Sequence, residues 1–145
     1  MKVALVCSVG GHVAEMLAIL GDNFASQRFW ILNDESPVLP QSERSYRIAH
    51  AERDPRVLLN IYECACILAH ESPDVLISTG AGPAVPAALV ARLFGIPVIY
   101  IETAAAVTQV TLTGKLMRPF ANRFYVQWAS LQKRLPRALF RGSVF

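Results

Sequence analysis

Short apolar runs alternate along the chain with stretches in which apolar residues recur every three or four positions. The run "KVALVC", beginning at Lys2, predicts a buried parallel strand. Val13, Met16, Leu17 and Leu20 then fall at helical spacing, and Gly21 is a natural stop. "RFWILN" predicts a second strand and "SYRIAH" a weaker third. Asp54-Pro55 opens a helix, Asp54 as N-cap and Pro55 in the first position, that runs through Leu58, Ile61, Tyr62, Ala65 and Leu68 to about residue 71. "DVLIST" predicts a buried strand, "GAGPAVPAALVARLFG" a glycine-opened helix closed by Gly95, and "PVIYIE" the next strand. "LTGKLMRPFANR" reads as partly helical, "FYVQW" as a strand, and "SLQKRLPRALFRGSVF" as a polar, basic tail. Strands alternating with helices predict an α/β fold: a Rossmann-like parallel sheet flanked by helices on both faces.

Composition narrows this picture. The 145 residues suit one domain, residues 1–145, with a core of its own, and no internal repeat or linker breaks the pattern. At 53% hydrophobic, 17% charged and a mean hydropathy of +0.35, the chain is apolar for a soluble domain. It still lacks the uninterrupted apolar run of about 18 residues that a membrane span needs. The opening "MKVALVCSVGG" reads as a first strand and not as a signal peptide. Cys7, Cys64 and Cys66 read as small core or semi-core residues in a reducing compartment, which sets aside a metal site. A net charge of +3 suits phosphate or an anionic surface, but no basic stripe is interleaved with aromatics, so nucleic acid is not an expected partner.

In a parallel sheet the ligand site lies beyond the carboxyl ends of the strands. That rule gathers Ser8 to His12, Thr79 to Pro83, Glu102 to Ala106 and Gln127-Trp128 onto one rim. Gly10 and Gly11 offer backbone N–H groups at a helix start and close approach for an anion, and His12 adds a base or a phosphate ligand. A plain strand-to-helix turn fits the same residues. Thr79, Gly80 and Gly82 form a second such loop, suited either to an anionic or sugar ligand or to close helix–sheet packing. The loops have neither G-x-G-x-x-G nor the lysine of a phosphate-binding G-x-x-x-x-G-K-[ST] loop, which counts against a dinucleotide domain and nucleotide hydrolysis. Glu102 ends a strand at the rim, placed to bind a sugar hydroxyl or to cap the following loop. Leu112, Leu116 and Phe120, four apart and mixed with Lys115, Arg118 and Arg123, fit an interfacial amphipathic segment or a core-packed helix with a solvated face.

Taken in order, "SVGGHVAEML", "PDVLISTGAGPAVPAALVARLFGIPVIYIET", "LTGKLMRPFANRFYVQW" and "RALFRGSVF" resemble the PssD/CpsF-type polysaccharide biosynthesis proteins. These are bacterial relatives of the eukaryotic Alg-fourteen subunit of UDP-GlcNAc transferase. The resemblance covers nearly the whole chain and is weakest from about Gln27 to Arg56. It implies the N-terminal, acceptor-side half of a split GT-B glycosyltransferase, with a separate PssE/Alg-thirteen-like chain binding the UDP-sugar. MurG is similar, with both halves in one chain and a comparable glycine-rich loop near the acceptor diphosphate. The implied acceptor is a polyprenyl-diphosphate-linked sugar at the cytoplasmic face of the cell membrane, in exopolysaccharide or capsule biosynthesis.

Carried onto this chain, the resemblance implies that Gly10 and Gly11 contact or make room for the diphosphate and that His12 is the candidate base. Thr79, Gly80, Gly82 and Glu102 join them at the acceptor. Leu112, Lys115, Leu116, Arg118 and Phe120 face the membrane or a partner, and Lys133, Arg134, Arg137 and Arg141 of the tail dock the partner or anionic lipid. Glu15 matches the family motif as well. Cys7 and Thr103 stand where serine is common. Eukaryotic relatives carry an N-terminal membrane segment that this sequence lacks, so attachment is expected to be peripheral or through a partner. No cofactor or metal is implied, and the chain alone is expected to show little activity. Two further readings stand beside this one: a non-catalytic anchor for the partner transferase, and a free-standing Rossmann-like domain that binds a small molecule.

Overall fold

The structure, a computed structural model, describes residues 1–8, 10–21, 24–25, 27–33, 39, 43–51 and 54–144. Val9 of the first loop and Phe145 at the end of the last motif lie outside the described residues. The elements run β1 (Lys2–Val6), α1 (Gly11–Leu20), β2 (Gln27–Asn33), β3 (Ser45–Ile48), α2 (Arg56–Glu71), β4 (Val75–Ser78), α3 (Ala84–Leu93), β5 (Val98–Ile101), α4 (Leu112–Met117), β6 (Arg123–Val126), α5 (Ala129–Arg134) and β7 (Leu139–Phe140). All seven strands are parallel, in the order β3-β2-β1-β4-β5-β6-β7. The Rossmann-like sheet expected from the sequence is the one observed.

The inner strands β1, β2, β4 and β5 are mostly apolar because helices cover both faces. Along β1 and β2, Ala4, Val6, Phe29 and Ile31 face α2 and α3, while Val3, Leu5, Trp30 and Leu32 face α1 with Val13 and Met16. This is the period-two alternation of a strand, apolar on both sides. Each fully buried leucine or isoleucine here contributes about 1.5–3 kcal/mol. α3 carries alanine at positions 84, 87, 88 and 91, all buried, which lets it lie close to the sheet and to α2.

At the amino end of the sheet, Glu71 closes α2 as a buried carboxylate. It meets the Lys2 ammonium at 2.5 Å, Arg44 at 3.1 Å and the Tyr46 hydroxyl. Burial pushes the Glu71 carboxyl up, but Lys2, Tyr46 and Arg44 together outweigh it and hold the group below the usual carboxylate range.

Four expectations change. The buried stripe of α2 is Asn60, Cys64, Leu68 and Glu71, whereas Leu58 and Tyr62 are exposed. Asn60 is inside because its amide donates to the Ala49 carbonyl at 2.8 Å, a tertiary partner that apolar spacing does not reveal. Cys66, one residue from the stripe, is exposed and not semi-core, while Cys7 and Cys64 are buried and burial pushes each thiol up to about 12. Helix α2 is counted from Arg56, with Pro55 already helical in φ and ψ; Asp54 nevertheless accepts the Arg56 N–H at 2.9 Å, as a cap does. The basic tail is ordered: it forms α5 and the edge strand β7, packed through Leu131, Leu135 and Ala138.

Candidate functional site

The rim forms where the sheet changes direction. Neighbouring β1 and β4 pair parallel, Leu5 beside Ile77, but the chain leaves β1 for α1 on one face and leaves β4 for α3 on the other. Their loops part and leave a crevice between them, the usual ligand position in an open α/β sheet.

On one side of the crevice stands the start of α1. Gly10 and Gly11 are exposed, and no heavy atom lies within 4 Å of where a Cβ would sit on either. Among the described residues no side chain caps this helix, and its first turn has no acidic residue. Its leading N–H groups therefore remain open to an anion, reinforced by the helix dipole. Gln127, Glu15 and Thr79 hold this turn in place from behind. The buried Thr79 hydroxyl donates to the His12 carbonyl at 3.2 Å, tying the second loop to the first.

Gly80 completes the opposite wall. Its φ of +112° is one that L residues rarely adopt, and a Cβ there would stand 3.0 Å from the Tyr100 hydroxyl and 3.8 Å from Cε1 of His12. Glycine is thus required by the backbone and by the Tyr100 hydroxyl, and the His12 ring lies beside it. Gly82 lines the neighbouring groove, with room for a Cβ at 3.5 Å from the Ala51 carbonyl.

Glu102 belongs to the floor. It is wholly buried, and its carboxylate accepts from the Thr103 N–H at 3.1 Å, the Thr111 N–H at 3.1 Å, the Thr111 hydroxyl at 2.9 Å and the Tyr100 hydroxyl at 3.2 Å. Of the two roles open from sequence, these bonds fill the loop-capping one, and the carboxylate has no surface left for a sugar. Thr111 in turn caps α4 by accepting the Gly114 N–H at 3.0 Å. Burial and the adjacent Glu102 charge push the Tyr100 phenol up, so it stays a neutral donor.

Glu15 is the second buried carboxylate. Its Oε1 accepts the Ala104 N–H at 2.6 Å and the Gln127 amide at 2.5 Å, while Oε2 lies 4.0 Å from Nδ1 of His12. Gln127 also donates to the Glu102 carbonyl and accepts the Val144 N–H at 3.2 Å. The Trp128 indole donates to the Ala104 carbonyl at 2.6 Å. Hydrogen bonds thus join the first two rim segments to each other and the last two to each other, and Glu15 of α1 ties the second pair to the first helix.

Beside this crevice opens a groove of about 820 Å³. Its walls are Val57 of α2, Val85 and Pro86 of α3, and Leu112 and Leu116 of α4, with Ser8, Asn33 and His50 at the rim end. Leu58, Leu59 and Tyr62 of α2 and Leu112 and Leu116 of α4 are exposed, and so are Lys115 and Arg118. Phe120 departs from the expected strip. Helix α4 ends at Met117 and the chain turns, the Phe120 N–H bonding the Met117 carbonyl, so that the ring packs partly buried against the main core. Among the described residues no helix is long and apolar enough to cross a membrane, and no group of three or more His, Cys, Asp or Glu side chains could hold a metal ion.

Sequence reasoning misplaces or passes over five residues. Apolar spacing puts Leu58 and Tyr62 in the core, but both are exposed. Thr111 and Gly114 carry a cap signal, threonine three residues before an N–H it accepts, but the amphipathic reading starts at Leu112 and leaves Thr111 in the preceding loop. Gln127 was placed on the rim without a role, and nothing local in the sequence signals its partners.

Comparison with known proteins agrees with this architecture. The chain is similar to the A. baumannii MurG structure, with a TM-score of 0.71 at 22% identity over 89% of this chain and 41% of that one. It is also similar to the UDP-N-acetylglucosamine 2-epimerase of Rickettsia bellii, with a TM-score of 0.77 at 12% identity over 99% of this chain and 45% of that one. The chain therefore spans less than half of either structure and has the fold of the N-terminal half of such GT-B proteins. In sequence it is 24% identical to the Homo sapiens "UDP-N-acetylglucosamine transferase subunit ALG14", over 99% of this chain and 83% of that protein. Residues 44–144 match the family described as "Oligosaccharide biosynthesis protein Alg14 like", a match that takes in the second loop, Glu102 and α4 and leaves the first loop outside. On that match, covering more than half of its length, the chain belongs to the Alg14 family.

Proposed function

We propose that this chain is the acceptor-binding, membrane-recruiting subunit of a two-chain UDP-GlcNAc transferase. The name of its Homo sapiens relative supports the donor and the subunit role. The observation that carries the acceptor half of the reading is the uncapped start of α1, where a Cβ on Gly10 or Gly11 would meet nothing within 4 Å. A diphosphate placed there takes up the open N–H groups, with its anionic charge at the positive end of the helix. Thr79 and Gly80 hold this turn against the second loop, and Glu102 acts through the loop and helix that it fixes.

The acceptor in this reading is a polyprenyl-diphosphate-linked sugar. His12 removes the proton from its hydroxyl, the oxygen attacks the anomeric carbon of GlcNAc, and UDP departs in the partner's half of the cleft. The partner is a PssE/Alg-thirteen-like donor-binding chain, approached by the basic residues Lys133, Arg134, Arg137 and Arg141. The exposed leucines of α4, with Lys115 and Arg118 beside them, rest on the inner face of the cell membrane. The setting is bacterial exopolysaccharide or capsule assembly, as in PssD/CpsF-type systems.

The test is co-expression with the donor-binding chain, followed by transfer of labelled GlcNAc from UDP-GlcNAc to a polyprenyl-diphosphate-linked sugar. Transfer is expected to require both chains, and His12→Ala to lower turnover by about 10²–10⁴-fold while the two chains still co-purify. Normal turnover in His12→Ala leaves a recruiting anchor that contributes no chemical group. Full transfer by the partner alone overturns the subunit reading altogether.

A further inference from the structure

The Nδ1 atom of His12 is sealed from solvent and has no hydrogen-bond partner, the one side-chain nitrogen or oxygen of this kind among the described residues. A buried polar atom left unpaired costs about 1–3 kcal/mol, so its neighbour calls for an explanation. That neighbour is Oε2 of Glu15, 4.0 Å away and one helical turn along the same face of α1.

We propose that Glu15 is a positioning residue for His12: its carboxylate takes the Nδ1–H, which holds the imidazole in the tautomer whose Nε2 lone pair faces the rim. The proposal rests on the reading above in which His12 is the base, and it deepens that reading. The 4.0 Å separation is about 1 Å longer than a hydrogen bond. A small rotation of the ring closes it, as catalytic contacts tighten when ligand arrives.

The surroundings make Glu15 an acceptor and nothing else. Gln127 must present its amide NH₂ to Glu15, because its carbonyl oxygen is taken by the Val144 N–H and its NH₂ also donates to the Glu102 carbonyl. The Ala104 N–H is a second donor to the same Oε1. With Oε1 saturated, Oε2 is the oxygen turned to the ring. On its other side the ring edge lies over Gly80, beyond which the Tyr100 hydroxyl has its proton committed to Glu102. Among the described residues, Glu15 is the one carboxylate within 4.0 Å of Nδ1. The His12 side chain keeps 28% of its surface exposed although Nδ1 is sealed, so that exposure lies on the rest of the ring.

Glu15→Gln separates positioning from mere support. The Ala104 and Gln127 donors retain the glutamine carbonyl oxygen, and its NH₂ then replaces Oε2 beside His12. An NH₂ donates, so Nδ1 must accept and the ring proton moves to Nε2, which removes the lone pair needed for base catalysis.

The readout is nitrogen NMR of ¹⁵N-histidine-labelled chain at about pH 8.5, roughly two units above the ordinary histidine value, with His50→Gln and His70→Gln used for assignment. His12 is expected as the Nδ1–H tautomer in the natural chain and as the Nε2–H tautomer in Glu15→Gln. In the two-chain transfer assay Glu15→Gln is expected to lower kcat by about 10²-fold or more with acceptor KM changed by less than about twofold. An Nε2–H tautomer in the natural chain, or the same tautomer in both proteins, overturns the proposal, and the first of these needs no folded variant. Inversion of the tautomer with unchanged turnover upholds the role of Glu15 and removes His12 as the base.

Discussion

Gly114→Ala tests the packing of the site floor because two effects of opposite sign meet there. Gly114 lies inside α4, where alanine should stabilise the helix by about 1 kcal/mol. Against this, an added Cβ would sit 2.0 Å from Oε2 of Glu102 and 2.6 Å from Cγ1 of Val110. The carboxylate is a side-chain end, but it cannot swing away cheaply, since Thr103, Thr111 and Tyr100 all donate to it in a wholly buried place. Displacing it loses hydrogen bonds to a charged group, worth about 1.5–3 kcal/mol, and overpacking adds about 1–3 kcal/mol. After the helix gain, the expected net loss is about 1.5–5 kcal/mol, a large part of a domain's stability. Urea unfolding should report that loss directly, and Tm should fall by roughly 5–20 °C. Gly11→Ala is the control: it too is helical, nothing lies within 4 Å of its Cβ, and it should be as stable as the natural chain or up to about 1 kcal/mol more so. A Gly114→Ala protein as stable as its parent, or more so, would refute the view of Glu102 as a pinned floor.

Two further outcomes follow from other parts of the molecule. The Glu71 carboxyl is held below its unfolded value near 4.5, so the stability it adds is complete above that pH and is lost as pH falls through its folded value. The urea midpoint gap between the natural chain and Glu71→Gln should therefore shrink on going from pH 7 to below 4, and a constant gap would contradict the assignment. Leu112→Ser and Leu116→Ser should each weaken flotation with anionic vesicles by about fivefold or more, from about 1 kcal/mol for burying half a leucine surface. Equal recovery of variants and natural chain would remove α4 from the membrane contact.

What was legible in the sequence was whatever burial writes locally. A strand covered on both faces must be apolar at every position, so β1, β2, β4 and β5 stand out, and their carboxyl ends placed Gly10, His12, Thr79 and Glu102 on one rim. Tertiary polar partners leave no such trace. Asn60 and Glu71 are inside α2 because Ala49, Lys2, Arg44 and Tyr46 meet them, and this turns Leu58 and Tyr62 outward against their hydropathy. Phe120 kept the spacing of Leu112 and Leu116, but the spacing means nothing once the helix has stopped at Met117. The tail looked polar because α5 and β7 are short and bury few residues. Glu102 could be read as ligand or cap, and only the position of Thr111, nine residues on, decides between them.

The pairing of β1 with β4 also orders events during synthesis. Val3 sits beside Val75 and Val6 beside Ser78, so β1, an inner strand of the sheet, waits for some seventy residues of chain before its second edge is covered. Until then the turn at Gly10 and Gly11 has no Thr79 to brace it and His12 has no Gly80 to lie against. A nascent chain halted in α2 thus carries the first half of a crevice facing water, with an unpaired apolar strand edge beside it. Such an edge invites pairing with another chain. The same joint that makes the site makes the half-made protein adhesive, and pausing just before β4 is where this chain is most exposed to aggregation.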